Sequence, residues 1–167
     1  MRSRPLILAF AGFCIAFGAA LWWFQTRAFY TREDGVTEID VQGSTLPVVD
    51  YDGIDAETSP LKLRACFRIA DGVAPDALQH VAEAEAPTPL VAPSWFECFD
   101  AAEIAEGIEA GPIRAVLAAR NTPYGFDRIV AAGPDGRGWM WRQINACGTA
   151  TFDGKPLPEG CPPAPED

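Results

Sequence analysis

The sequence has one histidine, two methionines and no CxxC pair among its five cysteines. It contains neither GxGxxG nor GxxxxGK[ST], so the usual glycine-rich cradles for dinucleotides and phosphates are missing. No GxSxG precedes a helical stretch. A serine or cysteine nucleophile would therefore depend on His80, the single imidazole, and nothing in Ala77-Leu78-Gln79-His80-Val81 forms a motif around it. Paired carboxylates of the glycosidase type are the one catalytic arrangement that spacing leaves open. Without close cysteine pairs, thioredoxin-like redox chemistry and a four-cysteine zinc site lose their basis. Basic residues are also scarce, 13 against 23 acidic, for a net charge of −10. That balance opposes a nucleic-acid partner and a polybasic grip on anionic lipid. No internal repeat and no coiled-coil heptad is present.

Charge is absent altogether from residues 5–24, PLILAFAGFCIAFGAALWWF. Twenty residues at about 1.5 Å each reach about 30 Å, the thickness of a bilayer's hydrocarbon core. Arg2 and Arg4 precede the run; Arg27 and Arg32 follow it, with Glu33 and Asp34 immediately after. The short basic N-terminus favours an N-in orientation, and Trp22, Trp23, Phe24, Phe29 and Tyr30 suit the aromatic belt at the exit. A cleaved signal peptide, cut near Gly18-Ala19-Ala20, is the rival reading. The apolar run continues for four bulky residues past Ala20, so an uncleaved anchor is the reading adopted. Either way, residues 28–167 are exported. They hold ten basic and 23 acidic residues, a charge of −13. The mean hydropathy of +0.02 thus averages an apolar helix with a polar domain.

Cys66, Cys98, Cys147 and Cys161 all lie in the exported part. An even number in an oxidising compartment points to disulfides. Of the three possible pairings, Cys66–Cys98 and Cys147–Cys161 is the one favoured. The second bridge would pin a proline-rich tail to the preceding strand.

The pattern downstream predicts an α+β domain: an antiparallel sheet of about four to six strands carrying two short helices, stapled by disulfides. Strands are expected over 36–41, 46–51, 61–69, 113–119, 126–132 and 139–144. The clearest is LKLRACFRI, where Leu61, Leu63, Ala65, Phe67 and Ile69 alternate with Lys62, Arg64, Cys66 and Arg68. The cluster Gly133-Pro-Asp-Gly-Arg-Gly138 marks a hairpin between the last two strands. Helices are expected over 75–84, with Pro75 in the first turn, and over 101–110, with Asp100 as cap and a stop at Gly111-Pro112. Residues 28–35 read as a polar exit from the membrane and 52–60 as a loop. The expected organisation is an anchor over 1–27, a periplasmic domain over 28–152 and a Pro-rich tail over 153–167.

Asp50, Asp52, Asp55 and Glu57 invite a calcium-loop reading. Counted from Asp50, however, Gly53 is fourth and Leu61 twelfth, where an EF-hand needs Gly sixth and Glu twelfth. A solvated acidic turn is the simpler reading. No cofactor and no metal site is assigned. The interaction candidates are Arg64, Arg68, Arg142, Trp139 and Trp141. Arg64 and Arg68 share a strand face, and Arg128 or Arg142 on a neighbouring strand would extend it into a cationic patch. The alternative is that the arginines pair with local acids. Trp139 and Trp141 share a face too, either packed in the core or exposed as anchors for a partner.

The stretches Tyr124-Gly-Phe-Asp-Arg-Ile-Val-Ala-Ala-Gly-Pro-Asp-Gly-Arg-Gly-Trp139 and Trp141-Arg-Gln-Ile-Asn-Ala-Cys-Gly148 carry a resemblance. So do Gly53-Ile-Asp-Ala, Arg64-Ala-Cys-Phe, Trp95-Phe-Glu-Cys-Phe-Asp and the Cys-Pro-Pro-x-Pro-Glu-Asp ending. Together they are similar to a family of small, uncharacterised single-pass envelope proteins of alphaproteobacteria. The resemblance implies location and architecture but no activity. A histidine-kinase label, sometimes attached to that family, finds no support: the chain has neither a glycine-rich ATP site nor room for a kinase domain. The expectation is a non-enzymatic, inner-membrane accessory or protein-interaction subunit with its C-terminal domain in the periplasm. A small-ligand or ion-binding module is the alternative, and a carboxylate hydrolase the remote third.

Overall fold

The uncharged run forms the middle of a single helix, α1 (Ser3–Thr26), 24 residues long. Its apolar window has a mean hydropathy of 2.1 and none of it is buried against protein. By length and composition α1 is able to cross a membrane, a property that a membrane anchor and a signal sequence share. The computed structural model describes residues 3–73 and 78–165. They fall into two compact units, Met1–Tyr30 and Thr31–Asp167.

The second unit is an α+β domain built on a seven-stranded antiparallel sheet. Its strands are β1 (Thr31–Glu33), β2 (Glu38–Val41), β3 (Ser44–Asp55), β4 (Arg64–Ile69), β5 (Arg114–Ala119), β6 (Phe126–Ala132) and β7 (Arg137–Ile144). The sheet order is β1-β3-β4-β7-β6-β5, with β2 also on β3. Both β1 and β2 run antiparallel to β3, β1 against Gly53–Asp55 and β2 against Ser44–Pro47. They act as one strand interrupted at residues 34–37, opposite an irregularity between Val49 and Asp52 of β3. The sheet curls until its far ends meet. Gln42, just past β2, donates its backbone N–H to Ala118 O at 2.8 Å and its side-chain amide to Leu117 O at 2.8 Å. The segment 82–84 bonds to the same edge of β5, the one away from β6, through Ala84 N to Ala115 O and Leu117 N to Ala82 O. The edge of β5 is thereby covered, which removes a template for edge-to-edge pairing.

Curling gives the sheet an inside and an outside. Alternation along the strands sends Val48, Phe67, Met140, Val130 and Val116 inward, where they form one buried cluster with Val41, Leu46 and Tyr51. The outer face carries Ile54, Arg64, Cys66, Trp139 and Trp141, which neighbour one another in the register. Residues 84–100 cross this face as a strap, followed by helix α2 (Ala101–Ala110). The strap is tied by Cys66–Cys98 and packs Phe99 edge-on against Trp141 at 6.3 Å between ring centroids. Asp100 caps α2 by accepting from Ala102 N and Glu103 N, as its spacing predicts, and the helix stops at Gly111.

Several expectations change. Residues 78–84 are not helical: Leu78–His80 are a turn, and Glu83 bridges to Val116. The first part of that expected helix, 75–77, lies outside the described residues. Sheet pairing wins over helix propensity here because β5 offers an unpaired edge. Residues 31–33 are a strand rather than a polar exit, which is why the sheet has seven strands instead of four to six. Asp52–Asp55 extend β3 rather than opening a loop. The calcium-loop acids are thereby spread along a strand: Asp52 pairs with Arg32 and Asp55 with Arg142. A helix not expected from the sequence, α3 (Ala146–Phe152), follows β7 directly.

Candidate functional site

Four of the five cysteines form the two favoured bridges, Cys66–Cys98 and Cys147–Cys161, and Cys14 is free. They close loops with sequence separations of 32 and 14. In the chain-entropy picture such loops are worth about 3.7 and about 3 kcal/mol.

The arginines and tryptophans do not form the surface anticipated. Trp139 and Trp141 are 3% and 0% exposed, so they are core residues, and the exposed-anchor reading is corrected. The strap covers them because a sheet face bearing two indoles must be buried. Arg64 shares their face and is 4% exposed. Its Nε donates to Leu90 O at 2.7 Å, and Nη1 donates to Leu61 O and Leu63 O. Its guanidinium also lies 5.6 Å over the Phe99 ring. Arg64 is thus a clamp on the strap, unavailable to an outside anion. Arg68 is exposed and faces Arg137 across the register. Arg142 points to the other face, beside Arg128, and bonds Asp55 at 2.8 Å. The three arginines are therefore split between two faces and a buried pocket, and no common patch arises from them.

A different place has the geometry of a site. Where β7 ends, Asn145 organises three chain segments. Its Oδ1 accepts from Gly148 N at 2.9 Å and caps α3. Its Nδ2 lies 2.7 Å from both Asn121 Oδ1 and Asp127 Oδ1. Asp127 Oδ1 also accepts from Asn121 N, and Asn121 Oδ1 from Gly125 N. The 121–125 turn approaches α3 so closely that a Cβ on Gly148 would lie 2.2 Å from Gly125 O. Only glycine fits there. Gln143 holds the strap from the other side. Its Oε1 accepts from Thr88 N and from Trp141 Nε1, while its Nε2 donates to Glu85 O and Ala86 O. The tail after α3 folds back through Cys147–Cys161 and a bond from Tyr124 OH to Pro162 O at 2.9 Å.

Between strap, β7 end, α3 and tail lies a cleft of about 700 Å³. Leu61, Leu90 and Ile144 give it an apolar lining, and Glu85, Asp127 and Glu159 an acidic one. Arg120 is the one basic residue lining it. Ile144 is 41% exposed, and on the α3–tail arm Phe152 is 66% and Leu157 40% exposed. A smaller cavity of about 380 Å³ near the start of the domain is lined by Glu33, Asp55, Glu57 and Arg142. There Glu33 accepts from the Tyr51 hydroxyl, and burial together with Glu33 pushes that phenol well above its usual range. Among the described residues no three His, Cys, Asp or Glu side chains come together as metal ligands.

Asn121, Asn145 and Gln143 were not singled out by sequence reading. Asn145 carries a legible signal, an Asn three residues before Gly148 at a helix start. Asn121 and Gln143 carry none, because the bonds that tie them to Asn145 and to the strap join residues 24 to 58 apart in the chain.

No curated protein and no solved structure matches this chain. A family model does match residues 35–162, which takes in strands β2 to β7, the strap, both bridges and the cleft but neither α1 nor β1. The chain therefore belongs to the family of unknown function DUF6446.

Proposed function

We propose that this protein is a non-enzymatic accessory subunit, held in the inner membrane by α1 with its disulfide-bonded domain in the periplasm, and that the cleft at the α3–tail end receives a partner protein in or at the membrane. The observation that carries this reading is the apolar surface gathered there. Ile144 lines the open cleft and stays exposed, as do Phe152 and Leu157 on the α3–tail arm outside it, while the other large apolar side chains of the sheet are mostly buried. Exposed apolar patches with polar rims mark interaction surfaces. The two bridges fit an extracytoplasmic compartment. Tethering to a membrane raises the effective concentration of a co-resident partner, so a modest surface suffices.

The test is site-specific photocrosslinking in native membranes with a photoreactive residue at Ile144, followed by mass spectrometry. A protein crosslinked from Ile144, and not from a position on the opposite end such as Asp71, is the expected result. Absence of any protein adduct at Ile144 rejects the reading. A second reading, a small-ligand module, is favoured by the cleft volume, which lies within the range of about 300–1,000 Å³ typical of ligand sites. A thermal shift of the purified domain with a ligand or cation, lost on filling the cleft by Thr149→Trp, would support it instead.

A further inference from the structure

We infer that the partner presents a short basic and apolar segment to this cleft, its Lys or Arg side chains reaching Glu85, Asp127 and Glu159. The inference rests on the reading of the cleft as a protein-binding site and specifies the chemistry of what enters it. Three carboxylates and one arginine line the cleft, so its own charge balance is acidic. Glu85 and Glu159 are exposed and come from opposite walls, the strap and the tail. Asp127 also lines the cleft, its Oδ1 fixed by accepting from Asn121 N and Asn145 Nδ2. Its position is therefore set before anything binds, which limits the ordering cost on association. The surrounding domain, at ten basic to 23 acidic residues, repels acidic segments and steers basic ones toward it.

The apolar half of the site separates a peptide from a small amine. Leu61, Leu90 and Ile144 form part of the lining, and Phe152 and Leu157 extend apolar surface along the arm outside it. A free polyamine would satisfy the carboxylates and leave that arm wet. A segment with alternating basic and aliphatic side chains covers both. The strap offers little to a pairing strand, because Pro87 and Pro89 have no N–H and Glu85 and Ala86 already give their carbonyls to Gln143. Recognition then falls to side chains, with basic groups in the acidic cleft and aliphatic groups on the arm.

The experiment uses the full chain in nanodiscs and a fluorescein-labelled peptide of alternating Leu and Lys, with a Leu/Glu peptide as counterpart. The double variant E85Q/E159Q removes two cleft charges. E106Q/E109Q removes two from α2, outside the cleft lining. The expected result is Lys-peptide binding that E85Q/E159Q weakens about fivefold or more and E106Q/E109Q changes less than about twofold. Equal losses in the two variants would mean attraction to the acidic domain in general, and equal binding of the Glu peptide would mean no charge selection. Either outcome overturns the inference. Spermidine binding that E85Q/E159Q abolishes, with no Lys-peptide binding, would overturn it in favour of a small amine. Sequencing the segment crosslinked from Ile144 keeps the two proposals separable. An acidic or uncharged segment sinks this inference and leaves the protein-binding reading intact, whereas no adduct sinks both.

Discussion

Arg64 and Arg68 stand four residues apart on one strand, yet their environments differ completely. Arg64 satisfies three backbone carbonyls under the strap, and Arg68 lies in solvent. Replacing Arg64 by Met strands those carbonyls in a buried site, and a loss of about 3 kcal/mol is expected in denaturant unfolding. Arg68→Met should stay within about 0.5 kcal/mol of the parent. Similar effects for the two variants would refute the clamp. Tyr51 allows a pH test. Its phenol is held neutral by burial and by Glu33, so its folded pKa exceeds the unfolded value of 10.0. A raised pKa contributes stability below the unfolded value and loses it as pH rises beyond that value, because the unfolded chain ionises first. Tyr51→Phe should cost about 1 kcal/mol at pH 7 through the lost hydrogen bond. The stability gap between parent and variant should close or reverse above about pH 10 in chemical unfolding curves. A pH-independent gap would show that ionisation of Tyr51 is not linked to folding.

At the scale of elements, α3 is held by backbone approach as much as by side chains. A methyl group on Gly148 meets the Gly125 carbonyl, which cannot rotate away as a side chain would. Gly148→Ala is therefore expected to lower stability by about 2 kcal/mol or more and to loosen the cleft wall. Hydrogen exchange should then rise in residues 121–125 and 146–152 and remain unchanged in β3 and β4. Uniform exchange increases would argue against a local wall. Most strands were legible because apolar alternation is a local signal: Arg64–Ile69, Phe126–Ala132 and Arg137–Ile144 fall within a few residues of expectation. A helix is expected over 75–84 because Pro75 and a short amphipathic stretch satisfy helix rules locally, yet 78–84 are not helical. The edge of β5, more than 30 residues away, instead recruits Glu83 into a bridge with Val116. Three-residue β1 has no pattern of its own and exists because β3 extends past β2.

For the whole molecule, covalent closure is the strongest testable property. Denatured, unreduced protein should react with a maleimide at one cysteine, Cys14, and at five after reduction. More than one reactive thiol before reduction would contradict the two bridges. The double variant C147S/C161S should lose about 3 kcal/mol and free the tail that walls the cleft.

Composition and periodicity by themselves determined the apolar helix, the acidic excess of everything after it and the α+β class. These follow from length, charge and alternation, all readable within a short window. Tertiary structure decided which face each side chain serves. It buried Trp139, Trp141 and Arg64 beneath the strap, separated Arg142 from them, and joined Asn121, Asp127, Gln143 and Asn145 around a cleft. Burial and convergence depend on contacts between segments far apart in the chain, and a strand's alternation names two faces without saying which one the rest of the chain will cover.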